Sequence, residues 1–170
     1  IKIIDTPYSC FNGKAHGIET PELALANSCN TYFINLIQSI DVDYLLKLCD
    51  DMGMGFSDTI ADGISTDTGS LPGKNSLGLY GNLANFAFGQ GELMMTPIQM
   101  AKAYHVLATG KYIAPTVVYG FADEYGSVTE KGTGIPLPVL SQETVNGICC
   151  GVVICSTGIL GKRLILAVIH

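Results

Sequence analysis

The chain has 170 residues, with nine Lys plus Arg against fifteen Asp plus Glu and a formal net charge of −6. Such an acid excess leaves no cationic surface to displace counterions from phosphates and argues against a nucleic-acid partner. At 48% hydrophobic and 14% charged residues the chain is too apolar for disorder and long enough to bury one core, so a single domain over 1–170 is expected.

Ile1 to Ile4 has strand character, and Asp5 to Gly17 reads as a loop because Pro7, Asn12-Gly13 and Gly17 punctuate it. Thr20-Pro21-Glu22 predicts a helix start: a capping hydroxyl, a proline where no amide bond is lost, and a carboxylate at the positive end of the dipole. Ser28-Cys29-Asn30 interrupts that helix before Tyr32, Phe33, Leu36 and Ile37 resume an apolar stripe. Asp41 caps a further helix with Leu45, Leu48, Cys49 and Met52 on one face, ending at Gly53 or Gly55. From Phe56 to Leu83 no period is sustained, and the glycines with Pro72 predict a long surface loop.

Thr96-Pro97-Ile98-Gln99 is a capping box, in which the Thr and Gln side chains satisfy each other's backbone donors. The helix it opens carries Ile98, Ala101, Tyr104, Val106, Leu107 and Ala108 as its apolar positions, and Gly110 supplies a left-handed C-cap. Tyr112 to Phe121 is β-rich, and residues 123–127 form a hairpin loop into Val128 and Thr129. Ser141 caps the last helix, with Glu143 in its first turn. The uncharged run from Thr144 to Gly161 has the length to span a bilayer, but its glycines and polar residues fit a core helix followed by a turn. Leu164 to Ile169 reads as an unfinished strand, and both chain ends read as cut.

The six cysteines, at 10, 29, 49, 149, 150 and 155, contain no C-x-x-C pair. They are expected to be mostly free, with Cys149 and Cys150 as small buried hydrophobes. His16, His105 and His170 have no histidine at i+4, so no metal site is expected. Gly89-Gln90-Gly91 lacks the third glycine of a dinucleotide fingerprint, so no cofactor is expected either, and Lys131-Gly132-Thr133-Gly134 matches no catalytic signature. Ser28-x-Asn30 is the informative pair. A hydroxyl that relays a proton and a carboxamide that reads an amide, two residues apart at a helix break, can face one cleft.

Leu23-Ala24-Leu25-Ala26-Asn27-Ser28-Cys29-Asn30-Thr31-Tyr32-Phe33 resembles the second active-site motif of penicillin-binding protein transpeptidase domains, where S-C-N-T-x-F recurs. Phe88-Gly89-Gln90-Gly91 through Thr96-Pro97-Ile98-Gln99-Met100-Ala101 resembles the family's G-Q-G-x-x-x-x-T-P-x-Q-x-A block. Ala108-Thr109-Gly110-Lys111, Ile113-Ala114-Pro115, Val139-Leu140-Ser141, Gly151-Val152-Val153 and Ser156-Thr157-Gly158 follow in the family's order, the last before its third motif.

The resemblance implies an α/β (α+β) fold of the β-lactamase/transpeptidase type, here mainly the helical lobe with a few antiparallel strands. It implies a D,D-transpeptidase that cross-links peptidoglycan stem peptides by serine acyl transfer, binds β-lactams, and works on the extracytoplasmic face of the cell membrane. In that scheme Ser28 and Asn30 are the retained catalytic residues: Ser28 bonds the catalytic lysine and helps pass a proton to the leaving amine, and Asn30 holds a substrate amide.

No serine here has a lysine three positions on, and no Lys-Thr-Gly occurs, so both the nucleophile motif and the third motif are missing. The expectation is a single partial transpeptidase domain that needs the remainder of that domain and is inactive alone. A β-lactam sensor or β-lactamase relative is the second enzyme reading, and a non-catalytic cell-wall complex module is the reading from another class.

Overall fold

A computed structural model describes residues 1–3, 5–13, 15–130 and 134–159. Residues 131–133 of the K-G-T-G run and the 164–169 segment read as a strand lie outside the described residues. The elements in order are β1 (Lys2–Ile3), β2 (Thr6–Pro7), α1 (Pro21–Ala26), α2 (Asn30–Ile37), α3 (Val42–Asp51), β3 (Thr59–Ala61), β4 (Ile64–Ser65), α4 (Lys74–Leu77) and α5 (Tyr80–Phe86). They continue with α6 (Pro97–Thr109), β5 (Lys111–Tyr112), β6 (Gly120–Ala122), β7 (Val128–Glu130), β8 (Leu137–Pro138) and α7 (Gln142–Ile159). The strands pair antiparallel as β1-β2, β3-β4, β5-β8 and β6-β7. The architecture is the expected one, helices with small antiparallel strand pairs.

The caps fall where the residue types demand them. Thr20 accepts from the Leu23 amide at 3.4 Å, and Asp41 accepts from the Asp43 and Tyr44 amides at 2.9 and 3.1 Å. Thr96 and Gln99 close the reciprocal box at 3.0 and 3.2 Å, and Gly110 ends α6 at φ +73°.

Three expectations are corrected. The 56–83 stretch is not one loop: it holds the β3-β4 hairpin, α4 and the start of α5. Leu77 and Leu83 of these short helices are buried with Ile37 and flanked by Val42, Leu45 and Phe86, so tertiary burial stabilises helices too short for any period to announce. On α6 the buried face is Gln99, Lys102, Ala103 and Val106, while Ala101, Tyr104 and Ala108 of the predicted stripe are exposed. Finally, α7 runs through residues 156–158 without the expected turn, and Cys149 and Cys150 on it are exposed rather than buried. Among the described residues no helix is long and apolar enough to cross a membrane.

Polar residues occupy the inner face of α6 because each finds partners there. The Lys102 ammonium pairs with Asp58, their side chains 3% and 7% exposed. It also lies 4.5 Å from the Phe56 ring centroid, and the Tyr112 hydroxyl donates to Asp58 Oδ1 at 2.9 Å. Burial, then the Asp58 carboxylate, pushes the Tyr112 phenol well above its ordinary range. A Cβ on Gly53, at φ +83°, would stand 2.7 Å from the Tyr112 ring and 2.9 Å from Lys102 Cε, so only glycine lets the end of α3 meet this pair. Gln99 does two jobs. Its Oε1 completes the capping box, while Nε2 donates to the Thr68 carbonyl at 2.7 Å and the Phe56 carbonyl at 3.4 Å, strapping the 56–69 segment to α6.

At the other end α7 packs against α1. A Cβ on Gly151 would lie 2.9 Å from Leu25 Cδ2 and 3.1 Å from the Glu22 carbonyl, so the missing side chain sets how closely the two helices approach. Thus α6, α7 and α1 form a relay of packed helices that ends at the Ser28 break.

Removing one member of the ion pair leaves a buried charge without its partner. Asp58→Ala should cost about 3–5 kcal/mol in denaturant unfolding, whereas Asp58→Leu combined with Lys102→Met should recover most of that loss. Additive losses in the double variant would contradict the assignment.

Candidate functional site

α1 must stop and the chain must turn before α2 begins, and three backbone bonds accomplish it. Asn27 N–H donates to the Leu23 carbonyl at 2.8 Å, Ser28 N–H to Leu25 at 3.2 Å, and Cys29 N–H to Ala24 at 2.8 Å. The last two are the 5→2 and 6→1 bonds of a Schellman motif, whose first residue past the cap is left-handed and usually glycine. Here that residue is Ser28, at φ +50°. Among the described residues only Asn12 shares a positive φ without being glycine, and a side chain held there stores about 1 kcal/mol of strain.

The apolar contact that accompanies a Schellman turn is also present, since Cys29 and Ala24 belong to one buried cluster with Cys10. Burial of Cys29 determines what its neighbours do. Cys29 points into the core at 5% exposed, Ser28 is exposed, and Asn30, the first residue of α2, is half-buried. Neither the Ser28 nor the Asn30 side chain hydrogen-bonds a described residue, and no bond joins them. Both polar groups therefore remain available at one helix break. A groove of about 400 Å³ lies elsewhere, between Ile60, Ile98, Lys102, His105 and the 113–117 segment.

Beneath the turn is a group that sequence reasoning missed. Cys10 Sγ lies 3.7 Å from Cys29 Sγ, and the Thr31 hydroxyl stands 3.5 Å from the first sulfur and 3.6 Å from the second. His16 joins them: ligand atoms of Cys10, His16 and Cys29 all fall within 4.8 Å of one another. Its Nδ1 is buried with no hydrogen-bond partner among the described residues. Glu19 Oε1 accepts from Asn27 Nδ2, and its Oε2 is buried with no hydrogen-bond partner among the described residues. His16, expected to be isolated, thus stands beside two thiols, and the three form a candidate cation site. An irregular loop, which has no period to read, brings residues at unremarkable spacings to one point.

The electrostatics of the two thiols differ. Burial pushes Cys10 up, but the Thr31 amide and hydroxyl, Cys29 and the Asn30 amide together outweigh it and hold this thiol below its ordinary value. Burial raises Cys29, aided by Glu19 and Cys10 and only partly offset by Thr31. Two thiolates and an imidazole are a donor set for Zn²⁺. Sulfurs bound at about 2.3 Å to one tetrahedral ion lie about 3.8 Å apart, against 3.7 Å between these two.

Residues 4–148 match the family described as penicillin binding protein transpeptidase domain. The chain is 29% identical over 111 residues to the peptidoglycan D,D-transpeptidase MrdA of Acinetobacter baumannii, covering 61% of this chain and 16% of that protein. Its fold is similar to that of penicillin-binding protein A from Mycobacterium tuberculosis, solved as an imipenem acyl-enzyme complex, with a TM-score of 0.72 and 18% identity over 86% of this chain and 34% of the other. It is equally similar to the D,D-transpeptidase domain of a peptidoglycan glycosyltransferase from Eggerthella lenta, with a TM-score of 0.72 and 18% identity over 86% of this chain and 39% of the other. The chain thus spans about a sixth of the curated relative's length.

The strain at Ser28 has a measurable consequence. Ser28→Gly should raise the unfolding free energy by about 1 kcal/mol, and Ser28→Val should lower it by at least as much, because a β-branched residue tolerates the left-handed region worst. Equal stabilities for the three side chains would remove the strain from the account.

Proposed function

The chain belongs to the penicillin-binding protein transpeptidase domain family, and we propose that it is part of a D,D-transpeptidase that cross-links peptidoglycan stem peptides and is acylated by β-lactams. The observation that carries this reading is the Ser28-x-Asn30 pair, presented on a strained Schellman turn with neither side chain bonded to a described residue. Residues 1–170 make up one partial domain in this proposal. The nucleophilic serine, its lysine and the third motif belong to the remainder of that domain, and the protein works at the extracytoplasmic face of the membrane.

In the reaction a serine oxygen attacks the carbonyl carbon of the penultimate D-alanine, the C–N bond to the terminal D-alanine breaks, and the departing nitrogen needs a proton. Ser28 serves as the relay for that proton. A hydroxyl both donates and accepts, so it can pass a proton from a neighbouring ammonium to the leaving amine. Asn30 offers an amide N–H₂ and a carbonyl, the complement of a peptide bond, and so holds the substrate backbone or a β-lactam side-chain amide.

A second element of the proposal rests on the thiol cluster: Cys10, His16 and Cys29 would hold a zinc ion. Its role is positional. Cys29 occupies the N-cap position of α2 between Ser28 and Asn30, with no side-chain capping bond, so an ion tying it to the 10–16 loop would fix the turn from below.

In the full-length protein, Ser28→Ala and Asn30→Ala should each slow acylation by a fluorescent penicillin by roughly 100-fold or more without loss of folded protein. The 170-residue chain alone should show no β-lactam adduct by intact mass. Wild-type acylation rates in both variants would reject the roles, and rapid turnover of the β-lactam would favour a β-lactamase relative. For the ion, one equivalent of Zn²⁺ should bind, more tightly as pH rises because the thiols must lose protons. Cys10→Ser, His16→Ala and Cys29→Ser should each weaken it by roughly tenfold or more.

A further inference from the structure

The pair of sulfurs that approaches closely enough to share a cation also approaches closely enough to be joined. Cys29 is held rigidly, since its amide closes the turn after α1 and its side chain is packed with Ala24. Cys10 sits on a different footing. Its neighbours Ser9, Phe11 and Asn12 are exposed, with Phe11 at 84%, and Asn12 and Gly13 both take positive φ. Cys10 itself is 5% exposed and its carbonyl closes the single 3-10 turn Phe11–Gly13, so exchange requires that one turn to open and disturbs no α-helix. Bond formation requires the sulfurs to close from 3.7 Å to about 2.05 Å.

We propose that Cys10 and Cys29 form a dithiol–disulfide pair in this chain, so that when no metal is bound a disulfide donor oxidises them to an intramolecular bond tying the 10–19 loop to the Ser28-x-Asn30 turn. Metal binding and disulfide formation exclude each other, because a sulfur shared with its partner is no longer a thiolate ligand. Only this exclusion rests on the reading of the trio as a zinc site. The disulfide itself stands on the two thiols.

The step balances through thiol–disulfide exchange. Cys10, reacting as its thiolate, attacks one sulfur of the donor disulfide and expels a thiolate. Cys29 then gives up its proton, for which His16 Nδ1, without a hydrogen-bond partner among the described residues, is an acceptor within the same cluster. Its sulfur attacks Cys10 Sγ and expels the donor's second half. Two protein thiols are oxidised to one disulfide, and the donor disulfide is reduced to two thiols. The oxidising compartment of the proposed function supplies such donors. The remaining described thiol in the interior does not compete, because burial pushes Cys49 up to about 11.

The test uses the 170-residue chain with Cys149→Ser, Cys150→Ser and Cys155→Ser, stripped with chelator and treated with oxidised glutathione under native conditions. Trypsin cuts at Lys2, Lys14 and Lys47, so the bond appears as peptide 3–14 joined to peptide 15–47. That linked pair is the expected product, absent in Cys10→Ser and formed at least roughly tenfold more slowly in zinc-loaded chain. Circular dichroism before and after oxidation confirms that the chain is folded. If the folded, metal-free chain keeps both thiols open to alkylation, or stops at a glutathione adduct on Cys10, the disulfide is overturned. Zinc uptake without the link overturns the disulfide and leaves the cation site standing; the link in a chain that takes up no zinc does the reverse. Equal rates with and without bound zinc overturn the exclusion.

Discussion

A helix that ends in the left-handed region at a serine is the constraint on which the site depends. The Schellman bonds from Ser28 and Cys29 satisfy the last carbonyls of α1, and they do so only if one residue takes a positive φ. Glycine would meet that demand without strain. Serine meets it at a cost, and the fold recovers the cost by burying Cys29 against Ala24 and Cys10. Once Cys29 is committed to the core, its two neighbours have no choice but to leave it, one exposed and one half-buried.

The same economy of contacts governs the distant half. α6 turns a glutamine and a lysine inward, which is unfavourable for isolated groups. Gln99 finds three backbone partners and Lys102 finds a carboxylate and an aromatic face. These polar contacts secure the 56–69 segment on both sides of the β3-β4 hairpin, which offers few apolar side chains of its own. The T-P-x-Q block therefore has a physical meaning: Thr96 and Gln99 start the helix, and the same Gln99 holds a loop that is otherwise short of anchors.

The two ends communicate through packing. Gly53 admits Lys102 and Tyr112 against the end of α3, and Gly151 admits α1 against α7. Each is a place where a missing side chain sets the spacing between elements. The position of the Ser28 turn thus depends on how α7 sits on α1 above it and on the thiol cluster below it.

Features whose physics is local can be read from the residues without coordinates. Thr20-Pro21, Asp41, Thr96 with Gln99, and Gly110 mark helix ends because a cap is satisfied within three or four residues. The S-C-N-T and G-Q-G blocks were legible in the same way, as short strings whose family is recognisable without coordinates. The rest follows from contacts between distant parts of the chain. They turned Gln99 and Lys102 inward against the apolar count on α6, and they stabilised α4 and α5 through Leu77 and Leu83 where no period exists. They also gathered Cys10, His16 and Cys29 from a loop and a helix junction. In each case the partner lies far along the chain or across an irregular loop, and the energy that selects the arrangement does not exist until the chain has folded back on itself.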